Sequence, residues 1–281
     1  MNELEAEVIA ALESAGTRVK SVTQISQLHP SEKKRATYRV DHESGTVKAR
    51  VMQDEQAAQE SISHRYELWD AFAPVIARYG RVLVEEWIDG TALPDIPDRV
   101  RLDEAGAILA EMHAASILSH SGSPKVRTTV EHRVLTEGRI RILVEAGALE
   151  QEIAARVREV LQRLETLQTT YALTHLDFCG ENMIIDRTGR LRVIDNEHIR
   201  VDAIGYDLGR TWYRWALPAR EWDYFYAAYA DRATLPSSQE SLHFWKIVAA
   251  VTSAELRIRA YPEKANVPLE CLRRLAAVEI E

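Results

Sequence analysis

His175-Leu176-Asp177-Phe178-Cys179-Gly180-Glu181-Asn182 runs directly into Met183-Ile184-Ile185-Asp186, a turn at Arg187-Thr188-Gly189-Arg190, and then Leu191-Arg192-Val193-Ile194-Asp195-Asn196-Glu197. The chemical groups come in the order His, Asp, Asn and a second Asp, in the pattern H-x-D-x-x-x-x-N followed by an acid after a short apolar run. Tyr171-Ala172-Leu173-Thr174 leads in as a short strand, and residues 183–185 and 191–194 are β-rich runs joined by a Gly-containing four-residue turn, which predicts a hairpin. Taken singly, an Asp between strands is a turn former and a His beside it a hydrogen-bonded core residue. The ordered set, with its spacing and strand context, reverses those readings.

Phosphoryl transfer calls for these residue types in this order. An aspartate, Asp177, orients the attacking hydroxyl and accepts its proton, while an amide oxygen from Asn182 and a second carboxylate from Asp195 hold the magnesium that bridges the nucleotide phosphates. One loop and one hairpin supply all three.

With 281 residues, 46% of them apolar and 28% charged, the chain is long enough for two lobes with separate cores. No apolar run approaches the roughly 20 residues of a membrane span. The first residues, Met1-Asn2-Glu3-Leu4-Glu5-Ala6-Glu7, are acidic and do not read as a signal peptide. A cytoplasmic protein with no membrane partner is expected. The formal charge of -8 argues against general affinity for nucleic acid and is compatible with a cationic substrate. Cys179 and Cys271 make neither a disulfide framework nor a zinc-ligand spacing; Cys179 reads as a small residue packing under the loop. Nothing in the composition specifies an oligomeric state.

Toward the amino terminus, Leu4, Val8 or Ile9, and Leu12 share one face of a predicted helix. Residues 22–28, 37–41 and 46–52 read as strands, with His42-Glu43-Ser44-Gly45 as the second turn. Asp54 caps a predicted helix reaching about Phe72, with Ala58, Ile62, Tyr66, Trp69 and Ala73 at helical spacing. Two more strands, around 75–77 and 82–88, close at Asp89-Gly90. Residues 1–90 therefore read as a small sheet-plus-helix lobe for the nucleotide, and residues 91–281 as a mainly helical lobe with the catalytic loop and acceptor site. Predicted helices cover 101–113, 148–170 (Val157, Val160, Leu161, Leu164 and Leu167 inward), 208–220, 221–231 and 239–261. Residues 119–124 read as a surface loop. The class is α+β.

With these pieces in place the chain resembles the aminoglycoside phosphotransferase and choline kinase-like family, small-molecule kinases with a two-lobed, protein-kinase-like fold. The family's H-G-D-x-x-x-x-N appears as His175-Leu176-Asp177 with Asn182, its I-D-x-E as Ile194-Asp195-Asn196-Glu197, and its G-x-D-L as Gly205-Tyr206-Asp207-Leu208. The resemblance implies Asp177 as catalytic base, Asn182 and Asp195 as magnesium ligands, and Asp207 as an acid bracing the catalytic loop. It also implies that 85–90 is the hinge between lobes, with backbone groups of Glu86, Trp87 and Ile88 anchoring the adenine.

The chain departs from the pattern in two places. Leu176 stands where the family has glycine, and residues 28–36 hold no glycine-rich phosphate loop; Lys33, Lys34 and Arg35 are either its basic replacement or a basic surface turn. The phosphate-binding cation belongs on the third strand, where Lys48 and Arg50 alternate onto one face. Lys48 is preferred, because Thr46 two positions earlier is small enough to sit over an adenine and a slim ammonium suits a narrow phosphate site. Counting 100° per residue from Ile62 brings Glu55 onto the buried stripe of the following helix, so Glu55 is the expected partner of that cation. Trp212, Tyr213, Trp215, Trp222, Tyr224, Phe225, Tyr226 and Tyr229 read mostly as helical core, with some available to wall an acceptor pocket.

The sequence thus predicts an ATP- and Mg2+-dependent phosphotransferase that moves the γ-phosphate to a hydroxyl of a small molecule: an aminoglycoside-like antibiotic, an amino alcohol, a sugar or a natural-product intermediate. Glu197 is expected to support the metal or the acceptor. A catalytically silent nucleotide-binding module is the first rival. A metal-dependent hydrolase built from His175, Asp177, Asp195 and His198 is the second, and it lacks the helical i, i+4 ligand pair or dense His cluster such a site would need.

Overall fold

Along residues 36–51 the side chains alternate between apolar and charged, and the backbone answers with a hairpin whose two faces do different work. In a computed structural model of the chain, which describes residues 2–25, 35–65, 70–115, 126–163, 169–233 and 239–278, the elements begin with α1 (Glu3–Ser14), β1 (Val19–Gln24), β2 (Ala36–His42), β3 (Gly45–Val51), α2 (Glu55–Arg65), β4 (Val75–Tyr79), β5 (Val82–Glu86) and β6 (Gly90–Ala92). They continue with α3 (Arg99–Ala114), α4 (Thr129–Glu145), α5 (Gln151–Arg163), β7 (Tyr171–Thr174), β8 (Met183–Asp186), β9 (Leu191–Val193) and β10 (Arg200–Ala203). Last come α6 (Ile204–Trp215), α7 (Ala219–Arg232), α8 (Gln239–Ala260) and α9 (Asn266–Ala276). Lys33, Lys34, Tyr66, Trp69, Leu164, Leu167 and the loop at 119–124 lie outside the described residues. No described helix is long and apolar enough to cross a membrane.

Two compact units emerge: residues 1–93 with 182–199, and residues 94–181 with 200–281. In the first unit, an antiparallel sheet runs in the order β1-β2-β3-β5-β4. One face gathers Tyr38, Val40, Val47, Ala49, Val51, Val82 and Val84 against Val8 and Leu12 of α1. The other packs Leu83 against Ala58 of α2 and Met52 and, in the same alternation, turns Lys48, Arg50 and Glu85 to that side. Asn2 and Glu5 form a reciprocal capping box at the start of α1.

The division differs from a single cut after residue 90, and the reason is hydrogen bonding. Where the strand of residues 82–88 is expected to end at Asp89-Gly90, β6 instead pairs antiparallel with β8 (Gly90↔Asp186, Ala92↔Ile184), and β8 pairs with β9. Ala73 N–H donates to the Val193 carbonyl at 3.1 Å, and Val193 N–H to Ala71 at 2.6 Å. The hairpin is thereby stitched into the first unit and brings Asn182 and Asp195 with it. At Gly90 a Cβ would collide with the Ile185 carbonyl, so only glycine permits the pairing.

The second unit is helical around one short antiparallel pair, β7 with β10. Its core joins Ile140, Leu143, Val157, Leu161, Leu176, Phe244, Val248, Val251 and Leu272, among others. Two helix contacts are close enough to demand glycine: Gly106 of α3 lies against the α7 backbone at Phe225 and Tyr229, and Gly205 and Gly209 of α6 lie against Trp245 of α8. Several predicted bounds move. β1 begins at Val19 rather than 22, α6 begins four residues earlier than predicted, and β10 and α9 come without a sequence-based expectation.

Candidate active site

In the first unit, Lys48 of β3 stands directly across from Glu85 of β5 in the strand register. The Glu85 side chain is 1% exposed and takes three cations: Arg65 from α2 in a direct hydrogen bond, Lys48 at 3.6 Å and Arg50 at 3.9 Å. Burial by itself would push the Glu85 carboxyl up; Arg65, Arg50 and Lys48 reverse this and hold it at about 2. Arg50 is equally buried and bonds both acids that follow β9, Asp195 through Nη2 at 2.6 Å and Glu197 through Nη1. Glu197 also accepts from Arg35 at 2.7 Å. Lys48 is held more loosely, with Asp195 also at 3.6 Å, and burial together with the neighbouring Arg50 lowers its pKa.

These contacts correct the expected Lys48–Glu55 pair. Glu55 is exposed in the first turn of α2, beside Gly80. The face of α2 that turns inward carries Ala58, Ser61 and Arg65 instead, so this helix delivers a cation and the acid for Lys48 comes from the neighbouring strand. Thr46, expected over an adenine, donates to Asp41 at 2.8 Å. At the expected hinge, Glu86 N–H donates to the Pro74 carbonyl at 3.0 Å and its carboxylate accepts from Arg192 at 3.0 Å. Trp87 lies under the Arg39 guanidinium, 5.0 Å from the ring centroid, and Ile88 is buried.

Asp195 sits in the left-handed region at φ 60° and ψ 49°, at the step from β9 into a 3-10 turn over residues 196–198. Ile194 N–H donates to the Asn182 carbonyl at 2.9 Å, so the hairpin sets Asn182 and Asp195 at adjoining positions. Burial acts to raise the Asp195 carboxyl, but Arg50 and Lys48 beside it win and hold it far below the usual carboxylate range.

In the second unit, the loop carrying Asp177 leaves β7 and is pinned by α6. Asp207 is fully buried and accepts the N–H of His175 at 2.8 Å on one oxygen and that of Leu176 at 2.7 Å on the other. His113 of α3 adds a third contact to Asp207 at 3.0 Å and is itself held by the Tyr229 hydroxyl at 2.8 Å. Leu176 adopts φ 63°, a left-handed conformation that glycine takes freely and other residues rarely do. Its carbonyl accepts from Arg210 Nε at 2.9 Å. The Asp177 carboxylate accepts from Arg214 Nε at 2.8 Å, with Arg210 Nη2 at 3.5 Å. Cys179 is buried beneath this loop, and Phe178 continues an aromatic chain through Trp215, Phe225 and Trp222. Most of the aromatics singled out in the sequence are therefore core.

Sequence reasoning missed Glu85, Arg65, His113, Arg210 and Arg214. The last two had a signal: Asp207, Arg210 and Arg214 follow i, i+3, i+7 spacing on one helix.

A family model for phosphotransferase enzymes matches residues 77–245. No curated protein matches the chain by sequence. Solved structures with the same fold include choline kinase from Streptococcus pneumoniae (17% identity, 98% of this chain and 99% of that one, TM-score 0.70), which has also been determined with AMP. A choline/ethanolamine kinase family protein from Mesorhizobium loti aligns at 16% identity over 98% and 94% of the two chains with TM-score 0.72. A macrolide 2'-phosphotransferase from Brachybacterium faecium aligns at 12% identity over 100% of both chains with TM-score 0.69. With more than half of its length matched and a protein-kinase-like fold throughout, the chain belongs to the phosphotransferase enzyme family and is a small-molecule phosphotransferase.

Proposed function

We propose that this phosphotransferase moves the γ-phosphoryl group of ATP to a hydroxyl of a small molecule, with Asp177 as the base. The observation that carries the reading is the fixation of the Asp177 loop: one buried carboxylate, Asp207, accepts two consecutive backbone N–H groups and holds Leu176 in a left-handed turn. A carboxylate presented from so rigid a loop suits the positioning of a nucleophile. The hydroxyl oxygen forms the new bond to phosphorus as the bond from phosphorus to the β–γ bridging oxygen breaks. The nucleoside diphosphate leaves with that electron pair, and the hydroxyl proton passes to Asp177.

The donor set in the first unit fits Mg2+: the Asn182 amide oxygen and the ionised Asp195 carboxylate are hard oxygen ligands on adjoining hairpin positions. When bound, the ion supplies positive charge to the phosphate oxygens. Lys48 meets the phosphates, because its contacts to Glu85 and Asp195 are long while Arg50 is held by direct hydrogen bonds to both Asp195 and Glu197. Glu86, Trp87 and Ile88 contribute to adenine binding. The structure of a related fold with AMP supports nucleotide binding here.

The test is a screen of hydroxyl-bearing compounds for acceptor-dependent ADP release, with Asp177→Asn as control. The parent should turn over at least one class of acceptor, and Asp177→Asn should keep Mg-ATP binding by calorimetry while turnover falls on the order of 10²–10⁴-fold. Mg-ATP binding without ADP release for any acceptor identifies the silent binding module instead.

A further inference from the structure

Two cationic side chains reach the Asp177 carboxylate, Arg214 at 2.8 Å and Arg210 at 3.5 Å, and a positively charged acceptor would have to share that carboxylate with them. Arg210 and Arg214 project from the same face of α6 as Asp207, and each has a distinct task. Arg210 holds chiefly the backbone, its Nε donating to the Leu176 carbonyl at 2.9 Å while Nη2 lies 3.5 Å from Asp177. Arg214 is divided: Nε donates to Asp177 Oδ1 at 2.8 Å, and Nη2 reaches Glu181 at 3.3 Å. The Arg214 side chain is 27% exposed and that of Glu181 is 77% exposed.

We infer that the acceptor carries an oxyanion, a carboxylate or a phosphate, close to the hydroxyl that receives the phosphoryl group, and that Arg214 is the residue that recognises it; this rests on reading the protein as a kinase with Asp177 as its base. Three physical points lead there. An exposed carboxylate at 3.3 Å is a weak partner, so Glu181 gives way to a ligand oxyanion at little cost. A guanidinium is a planar fork that keeps one N–H on Asp177 while presenting others to a carboxylate or phosphate, a geometry an ammonium does not offer. An acceptor with an amine in the position of the Glu181 carboxylate would set a positive charge against the Arg214 guanidinium, where an oxyanion sets opposite charges together.

The net charge of -8 is compatible with a cationic acceptor but does not select one. A whole-chain sum is a poor guide to one pocket, because local charges within a Debye length dominate what a ligand meets.

The experiment is acceptor-dependent ADP release by the full-length enzyme with Mg-ATP, using polyols in separate arms that bear a phosphate, a carboxylate, no charge or an amine: glycerol 3-phosphate, glycerate, glycerol and 3-aminopropane-1,2-diol head the four arms, each extended with larger homologues. Turnover concentrated in the phosphate or carboxylate arm is expected, and the preferred arm tells which oxyanion is read. Arg214→Gln should then lose about tenfold or more in kcat/KM for that acceptor, mostly through its KM, with partial rescue by Arg214→Lys. Turnover concentrated in the amine or neutral arm, or an Arg214→Gln variant whose acceptor KM equals the parent's, overturns the inference and leaves the kinase reading standing. No release in any arm from an enzyme that binds Mg-ATP by calorimetry overturns both.

Discussion

Leu176 shows how a single residue can break a pattern and keep its geometry. A left-handed conformation costs an ordinary residue about 1–2 kcal/mol. Two hydrogen bonds from its own and the preceding N–H to the two oxygens of Asp207 contribute on the order of 1 kcal/mol or more each. The leucine side chain is buried in the main core of the second unit, where truncation costs about 2–5 kcal/mol. The hydrogen bonds hold the left-handed turn for any residue, and the burial that only a side chain supplies exceeds the strain, so leucine persists where glycine would be the easier backbone. The same weighing separates the two cations of β3. Lys48→Ala removes a loosely paired ammonium and leaves the acids with Arg50 and Arg65; we expect a folded protein with a raised KM for ATP and lower turnover. Arg50→Ala strips Asp195 and Glu197 of their principal partner and should lower the unfolding free energy by about 3–5 kcal/mol. Urea melts of both variants beside steady-state kinetics check this. An Arg50→Ala protein as stable as the parent, with the larger rise in KM, would transfer the phosphate role to Arg50.

At the level of elements, α6 acts as the carrier of the second unit's candidate chemistry. Its face at 207, 210 and 214 holds the Asp177 loop, while the face at Gly205 and Gly209 closes on α8 without space for a Cβ. Helix position and loop position are thus linked through Asp207. Asp207→Ala should leave two buried N–H groups and His113 without their acceptor, at about 1–3 kcal/mol for each group. Because a displacement of about 1 Å of a reacting group costs on the order of 100-fold, turnover should fall at least that far while KM for ATP changes little. Asp207→Asn, which keeps one acceptor oxygen, should recover part of the loss. An Asp207→Ala enzyme with parental turnover would show that the loop holds itself.

Across the whole molecule, the charged network of the first unit predicts how the protein responds to acid. The Glu85 carboxyl is depressed to about 2, and those of Asp195 and Glu197 are also depressed. For such groups the unfolded chain binds more protons than the folded one, so their contribution to stability is present above the unfolded pKa and is lost as pH falls through the folded value. Unfolding free energy should therefore decline from about pH 5 toward pH 2. Glu85→Gln leaves Arg65, Arg50 and Lys48 short of a counter-charge; it should start about 3–5 kcal/mol lower at pH 7 and show a flatter acid limb. Urea denaturation of the full chain from pH 7 to pH 3 measures both, and a Glu85→Gln limb as steep as the parent's would place the acid sensitivity elsewhere.

The sequence by itself determined the class and the hairpin and set Asp177, Asn182 and Asp195 in order as candidates, because these depend on local spacing and on the two- and 3.6-residue periods that backbone geometry imposes, while Asp207 entered only through the family resemblance. It also narrowed the β3 cation to Lys48 and Arg50, since alternate strand positions share a face. What the tertiary structure decided was partnership. Glu55 lies only seven residues beyond Lys48 in sequence yet points to solvent, whereas Glu85 meets Lys48 because strand pairing fixes register between distant segments. Arg214 reaches Asp177, 37 residues away, because α6 docks on the loop through Asp207. Local periodicity tells which face a side chain takes, and only the packing of one element on another tells which charge it finds there.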